Sequence, residues 1–164
     1  MEWLQSSIRY LERARFVEEA LSILPEVYST ESGIYHYRSM AKTNYRGYLR
    51  ADQVPLKKYF YVLRPLLAIR WIERYGTAAP IEFERLLHLI EDRSDILAAI
   101  DTLLRLKRAS PELGLADPVP SLNLFIENEL ERHEQTVPDR ARKVGAIAKL
   151  NSLFHATIAD RCMS

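Results

Sequence analysis

The chain has 164 residues, which is enough for one compact domain with a substantial core and too few for two domains of ordinary size. Hydrophobic residues make up 48% and charged residues 27%, a balance typical of folded globular proteins that excludes an intrinsically disordered chain. Because 23 basic residues face 22 acidic ones, the net charge is only +1, and any anion-binding site must be a local cluster of cations.

The cellular location is predicted from targeting signals and from cysteine content. No apolar run reaches the roughly 18 residues needed to span a membrane, and the first ten residues, MEWLQSSIRY, lack the order of a signal peptide. The single cysteine, Cys162, cannot form an internal disulfide, which fits a reducing compartment. We therefore expect a cytoplasmic protein with no membrane association.

Apolar residues recur mostly at a spacing of three to four, and strand-like alternation is scarce. The sequence therefore predicts an all-α fold, a single domain over residues 1–164 built as a compact bundle of about six to seven helices. The first helix is predicted at about 11–24, where Pro25 should stop it, and the second runs from Ser32 to about Arg50. The segment EWLQSSIRY before them is ambiguous and could be extended.

The third helix is predicted to begin after Asp52, a candidate cap, with Pro55 in its first turn, and to end near Tyr75 because Gly76 suits a C-terminal cap. Four further helices are expected. They run from Pro80 to about Ile90, over 96–108 after the capping sequence DRSD, from Ser121 to about Gln135, and from Pro138 to Ala159. The proline-rich segment 109–121 is predicted to be a long loop. The apolar side of the last helix should face a partner surface.

The third helix contains LKKYFYVLRPLLAIRWIE (56–73), which combines twelve apolar or aromatic residues with four cations. At roughly 100° per residue, Lys57, Tyr61 and Arg64 share one stripe of the helix. Lys58 and Arg70 project elsewhere, and we interpret them as solvated or as ordinary salt-bridge partners. Little of this helix can face water, so Arg64 is predicted to be at least half buried.

A buried guanidinium needs a counter-charge, and two interpretations of Arg64 remain open. One is an internal carboxylate, for which Glu73, Glu82 and Glu84 are the candidates. The other is a phosphate. A lysine point charge, an arginine fork and a tyrosine ring together suit the phosphates and base of a nucleotide, or a nucleic-acid backbone.

The second helix places Asn44 in a face of tyrosines, with His36 at its edge. The amide of Asn44 either contacts a ligand or bonds a neighbouring backbone group, and a lone histidine such as His36 is more often a packing residue than a catalytic base. The opposite face carries four cations at four-residue spacing, which either track a phosphate backbone or form a solvated face. These four residues are Arg38, Lys42, Arg46 and Arg50.

The sequence lacks the common motifs of a self-sufficient active site. Neither GxGxxG nor GxxxxGK[ST] occurs, so no glycine-rich phosphate loop of these kinds is present, and neither CxxC nor HExxH is found. The closest carboxylate pair, Glu127 and Glu129, would diverge by roughly 200° on a helix and cannot share a metal ion.

Six segments taken in order resemble one known family: EWLQSSIRY, YHYRSMAKTNYRGYLR, LKKYFYVLRPLLAIRWIE, PIEFERLL, AAIDTLLRLKR and LNLFIENELER. They are similar to the predicted nucleotidyltransferases of the DNA polymerase β superfamily, in the branch associated with RNA-repair pathways. The resemblance covers about residues 2–134, and LNSLF near the end resembles that family's tail.

The resemblance implies a division of labour. In such proteins an N-terminal α/β domain carries a Gly-Ser motif followed by paired aspartates that hold two metal ions, and a helical C-terminal region closes the nucleotide site. This chain resembles only the helical region, and it contains no Gly-Ser pair followed by Asp-x-Asp. Magnesium and a nucleoside triphosphate are therefore expected only together with the missing catalytic domain, and the chain alone is expected to be inactive.

By position, the resemblance assigns nucleotide or phosphate binding to Lys57, Tyr61 and Arg64, and more weakly to Asn44, His36 and Tyr45. No catalytic residue and no metal ligand is assigned. The expected partners are a nucleotide, RNA, the missing catalytic domain and a second copy of the chain. The alternative function is a helical interaction or dimerisation module with no nucleotide role.

Overall fold

A computed structural model of the protein describes residues 14–109, 114–134 and 146–162, and these residues are almost entirely helical. They contain six α-helices, one 3₁₀ helix and a short antiparallel ribbon of two strands. In chain order these are α1 Ala14–Val27, α2 Thr30–Tyr48, β1 Val54–Pro55, α3 Lys58–Tyr75, the 3₁₀ helix Phe83–Ile90, α4 Ser94–Ala109, β2 Leu115–Ala116, α5 Pro120–Glu134 and α6 Ala146–Cys162. The predicted all-α class is confirmed.

Helix α3 lies at the centre of the core. It packs most extensively against α2 and also contacts the 3₁₀ helix and α5. Half of its residues are buried because apolar side chains occupy most of its circumference. The buried residues are Tyr59, Val62, Leu63, Pro65, Leu66, Leu67, Ala68, Ile69 and Ile72.

The ends of α2 and α3 follow from local chemistry. The Ser29 hydroxyl caps α2 by accepting a hydrogen bond from the Ser32 amide at 3.1 Å, so α2 begins earlier than predicted. Gly76 ends α3 in the left-handed conformation, at φ 64°, and its amide donates to the Ile72 carbonyl at 2.8 Å, as predicted. Asp52 was expected to cap α3, and that prediction is wrong.

The reason is the ribbon formed by β1 and β2, which the sequence did not predict. Val54 pairs with Ala116 and Pro55 with Leu115, so the backbone before α3 is extended and Pro55 lies in a strand rather than in a first helical turn. The ribbon fastens the segment before α3 to the chain leading into α5. Helix α3 therefore begins only at Lys58.

Other helix boundaries also differ from the predictions. Pro25 does not stop α1, which continues to Val27, because a proline in the last turn removes only one hydrogen bond from the helix. The predicted fourth helix is a 3₁₀ helix that begins at Phe83, and α5 starts at Pro120, one residue before the predicted cap. The predicted segments 2–13 and 138–145 lie outside the described residues.

Helices α1 and α6 pack chiefly against each other. Ala20 and Leu24 of α1 are buried, Lys149 of α6 forms an ion pair with Glu26, and a cleft of about 460 Å³ runs between the two helices. Several apolar side chains of α6 remain exposed, as considered below. Within the described residues, no helix is long and apolar enough to cross a membrane.

The Tyr59 hydroxyl provides a test of how α3 is held to α5. Tyr59 is fully buried, its hydroxyl donates to Asn123 Oδ1 at 2.7 Å, and it accepts from the Val119 amide at 2.8 Å. We expect Tyr59→Phe to lower the free energy of unfolding by about 1–3 kcal/mol, because two partly buried polar groups lose their partner. Urea denaturation measures the change.

The matched control is Tyr61→Phe, which removes a hydroxyl from an exposed ring two residues away. It should change the free energy of unfolding by less than about 0.5 kcal/mol. Equal effects of the two substitutions would show that the Tyr59 hydrogen bonds do not stabilise the contact between α3 and α5.

Candidate functional site

Lys57, Tyr61 and Arg64 lie along one side of the first half of α3, as their spacing of four and three residues requires. Lys57 occupies the N-cap position and is exposed, and 55% of the Tyr61 side chain is accessible to solvent. Lys57 and Arg64 are separated by roughly 10 Å along the helix axis. No carboxylate in the described part of the chain lies within salt-bridge distance of Lys57. We call these three residues the α3 strip.

Arg64 is partly buried, as predicted, and its Nε donates to the Ile81 carbonyl at 3.4 Å. The three carboxylates considered as its internal partner have other cations beside them. Glu73 pairs with Arg132 at 3.0 Å, Glu82 with Arg85 at 3.7 Å and Glu84 with Arg108 at 3.2 Å. The main-chain oxygen of Ile81 therefore satisfies part of the guanidinium and holds it beside the loop before the 3₁₀ helix.

The three residues assigned more weakly lie on α2. The Asn44 amide donates to the Met40 carbonyl at 2.9 Å, which is the local backbone bond considered as an alternative. Tyr45 is buried, and its hydroxyl donates to Glu127 Oε1 at 2.5 Å. Burial and this carboxylate both raise the pKa of the Tyr45 phenol. His36 is exposed, and its ring lies 5.6 Å from that of Tyr37.

Lys58 is partly exposed and forms no salt bridge within the described residues, so of the two expected roles the salt bridge is absent there. Its ammonium lies 3.7 Å from the ring centroid of Tyr48 on α2 and 4.8 Å from that of Tyr61 on α3. Cation–π attraction therefore links the two helices. The i,i+3 spacing of Lys58 and Tyr61 was visible in the sequence, but no local pattern could place Tyr48 beside them.

Arg70 is an internal salt-bridge partner, one of the two roles expected of it. Its Nε and Nη2 donate to the two oxygens of Glu129 at 2.8 Å each, and its Nη1 donates to the Leu89 carbonyl at 3.2 Å. Glu129 is only 4% exposed and also accepts from Arg132 at 3.2 Å. Burial acts to raise the pKa of Glu129, but the two guanidinium groups outweigh it and hold the pKa below its usual range.

His133 lies beside this pair and is 1% exposed. Its Nε2 is 2.9 Å from Arg132 Nη2. A guanidinium can only donate, so Nε2 accepts, and the ring proton sits on Nδ1, which faces Glu73 at 3.5 Å. The imidazole is therefore neutral. Burial and the nearby charge of Arg132 lower its pKa, against the opposing effect of the two glutamates.

A second histidine arrangement borders a cleft at the C-terminal end of α3. His88 Nδ1 donates to the Arg85 carbonyl at 2.7 Å, and Nε2 forms a hydrogen bond of 2.9 Å with the Tyr75 hydroxyl. The neighbouring cleft has a volume of about 300 Å³, at the lower limit for a small-molecule site. It is lined by Trp71, Ala78, Pro80, Glu82 and Arg85.

The described residues do not fit a two-metal centre. No group of three or more histidine, cysteine, aspartate or glutamate side chains among them is placed to hold a metal ion. Glu127 is bonded to Tyr45, and Glu129 is enclosed by Arg70 and Arg132.

The lowered pKa of His133 predicts that the protein loses stability as the pH falls from about 7 to 5.5. An unfolded histidine takes up a proton near its ordinary pKa of about 6.5, while the folded ring stays neutral to lower pH. The unfolded state therefore binds more protons in this window, and the free energy of unfolding decreases. The Glu129 contribution is lost only at lower pH, below the ordinary carboxyl pKa of 4.5.

His133→Gln tests this assignment, because a neutral amide can accept from Arg132 and donate toward Glu73 without ionising. Urea denaturation at the two pH values should show a smaller decrease for this variant than for the parent. His155→Gln, on the exposed side of α6, should keep the full decrease. An unchanged decrease in His133→Gln would contradict the assignment.

The comparisons with known proteins agree with the resemblance seen in the sequence. The profile of the RNA repair pathway DNA polymerase beta family matches residues 1–156. The uncharacterized protein YcgL of Bacillus subtilis (strain 168) is 37% identical over 161 residues, a match that covers 98% of this chain and 62% of that protein. No solved structure shows a significant match to the chain. On the match to this family profile, the chain belongs to the RNA repair pathway DNA polymerase beta family.

Proposed function

We propose that the chain is the helical part of a nucleotidyltransferase-type enzyme, and that the α3 strip binds the triphosphate and base of a nucleotide. The observation that carries the proposal is the state of Lys57 and Tyr61. On a helix whose circumference is otherwise largely buried, one cation has no carboxylate beside it and one aromatic ring is more than half exposed. Membership of a DNA polymerase beta family supports a nucleotide as the ligand.

Each residue of the α3 strip has a distinct role in the proposal. The Lys57 ammonium supplies a compact charge for one phosphate group, and the Arg64 guanidinium supplies a planar fork for two phosphate oxygens. The bond from Arg64 Nε to Ile81 orients that fork before a ligand arrives. Tyr61 lies between the two cations in sequence and offers a ring face to the base.

The chemical step is assigned to a part of the enzyme outside this chain. The chain spans about 62% of the length of YcgL, and its described residues hold no carboxylate group suited to a metal. The proposed division is an α/β catalytic domain that binds magnesium and a helical part that positions the nucleotide and an RNA acceptor. Alone, the helical part should bind a nucleotide without transferring it.

A thermal-shift titration with ATP, GTP, CTP and UTP tests the binding role. A nucleotide at ten times its dissociation constant should stabilise the chain by roughly 1.4 kcal/mol, which raises the melting temperature by a few degrees. Lys57→Ala and Arg64→Ala should abolish most of the shift. Arg105→Ala, which removes an exposed cation from α4, is the matched control and should keep it.

Two results would contradict the binding role. One is the absence of a shift with every nucleotide at millimolar concentration. The other is a shift that persists unchanged in both Lys57→Ala and Arg64→Ala. Urea denaturation of each variant without nucleotide establishes that it folds, so that a lost shift reflects binding rather than stability.

A second candidate function, a dimerisation module, is favoured by the outer side of α6. Four apolar side chains there lie at helical spacing and are 43–64% exposed. They are Ile147, Leu150, Phe154 and Ile158. Such a stripe on a helix is typical of a surface that packs against another helix.

Phe154→Glu tests this second function. If a second copy covers the stripe, the parent should elute as a dimer in light-scattering chromatography, and the variant should be a monomer, because a carboxylate in an apolar interface loses its hydration. Tyr35→Glu, a similarly exposed aromatic residue on α2, should leave the dimer intact. A monomeric parent would contradict the dimerisation role and leave the nucleotide proposal unaffected.

A further inference from the structure

Two exposed tyrosine rings flank one ammonium group where the end of α2 meets the start of α3. The Lys58 ammonium lies 3.7 Å from the Tyr48 ring centroid and 4.8 Å from the Tyr61 ring centroid. The two residues are 44% and 55% exposed, so both side chains reach solvent. We call these three residues the tyrosine platform.

The platform is more open than a purely structural contact requires. A lysine that only joined two helices would be strongest with both rings desolvated around it, because water weakens a cation–π contact. Here Lys58 has no carboxylate partner in the described part of the chain, and both rings face water. A positive charge and two aromatic surfaces are therefore presented together.

The surroundings of the platform are locally basic although the chain is nearly neutral. Arg46 and Arg50 flank Tyr48 in sequence, Lys57 precedes Lys58, and the Lys107 ammonium of α4 lies 5.2 Å from the neighbouring Phe60 ring. None of these four cations forms an ion pair within the part of the chain that the structure describes. Against them, the connecting segment carries one exposed acid, Asp52.

Proteins bind single-stranded nucleic acids through exposed aromatic rings surrounded by cations that have no carboxylate partner. Bases stack on tyrosine rings with little dependence on sequence, and the phosphates between them pair with lysine and arginine. A duplex cannot use such rings, because its bases already stack on each other. A single nucleotide has one base, whereas the platform presents two rings from two helices.

We infer that the tyrosine platform binds single-stranded RNA by stacking bases on Tyr48 and Tyr61, with Lys58 and the surrounding cations contacting the backbone. This inference rests on the proposed function, for which it names the acceptor class, and it assigns Tyr48 and Lys58, which lie outside the α3 strip, to the binding of that acceptor. Tyr61 then lies where the nucleotide and the acceptor strand meet. Stacking rather than base-edge contacts predicts weak sequence preference.

Fluorescence anisotropy with a labelled single-stranded RNA of about ten nucleotides tests the inference. Tyr48→Leu should weaken binding by about five-fold or more, since it removes one stacking surface. Tyr35→Leu makes the same change at another exposed tyrosine of α2, 53% exposed against 44% for Tyr48, and should bind as the parent does. A duplex of the same length should bind more weakly than the single strand.

A second variant keeps the test decisive if Tyr48→Leu fails to fold. Lys58→Glu places a negative charge between the rings and should weaken RNA binding at least ten-fold at low salt. Circular dichroism confirms folding for each variant. The thermal shift produced by nucleoside triphosphates should survive in Tyr48→Leu, because Tyr48 is outside the α3 strip.

Three outcomes would overturn the inference: a parent that does not bind the single strand at micromolar concentrations of protein, a Tyr48→Leu variant with parental affinity, or equal affinity for the duplex. Each leaves the nucleotide titration to be judged separately. A nucleotide shift without RNA binding would reject the platform and retain the proposed function. If RNA binding depends on Tyr48 but no nucleoside triphosphate produces a thermal shift, the platform is retained as an RNA site and the nucleotide role of the α3 strip is rejected.

Discussion

Helix α3 bears several cations although half of its residues are buried in the core, where an unpaired charge is unfavourable. Desolvating an isolated guanidinium or ammonium costs several kcal/mol, so each cation on α3 constrains what lies next to it. Arg70 is matched by the carboxylate of Glu129, Arg64 by the carbonyl of Ile81, and Lys58 by two tyrosine rings. These three contacts connect α3 to α5, to the loop before the 3₁₀ helix and to the end of α2.

The partners of these cations differ between the two halves of α3. In the second half of α3, the Arg70–Glu129 pair is bidentate and reinforced by Arg132, with Glu129 buried and Arg70 partly buried. Such a pair is costly to break, because either partner alone would be left as a buried charge. In the first half, Lys57 faces solvent without a carboxylate, so its charge is available to a ligand.

His133 belongs to the same network as Arg70, Glu129 and Arg132 at the second half of α3. A neutral imidazole accepts from one arginine and faces one glutamate, so the network holds its charges in a fixed pattern of donors and acceptors. Adding a proton would set a cation against Arg132. The stability of the contact between α3 and α5 is thereby coupled to pH, independently of any ligand on the first half of α3.

Local sequence signals predicted the fold class and most helices, because periodicity and caps act over a few residues. Gly76 and the apolar face of α4 are examples. The β1–β2 ribbon escaped prediction because two-residue strands have no pattern of their own, and their pairing depends on residues about 60 positions apart. The start of α3, set by that ribbon, was misplaced for the same reason.

For the candidate site too, the local features were predictable from the sequence and the long-range contacts were not. Helical spacing placed Lys57, Tyr61 and Arg64 on one side of α3, and the family resemblance suggested a ligand. The contact between Lys58 and Tyr48 depends on how α2 packs against α3, and the Arg70–Glu129 pair joins residues 59 positions apart. Such interactions depend on tertiary packing, so no local sequence pattern predicts them.

The central claim is that the first half of α3 binds nucleotide phosphates while the second half is structural. Amide chemical shifts of the isotope-labelled chain, followed during titration with a nucleoside triphosphate, test this division most directly. We expect the changes to concentrate at Lys57 through Arg64 and to leave Arg70 and Glu129 almost unaffected. Changes confined to other helices, or no change at saturating nucleotide, would contradict the claim.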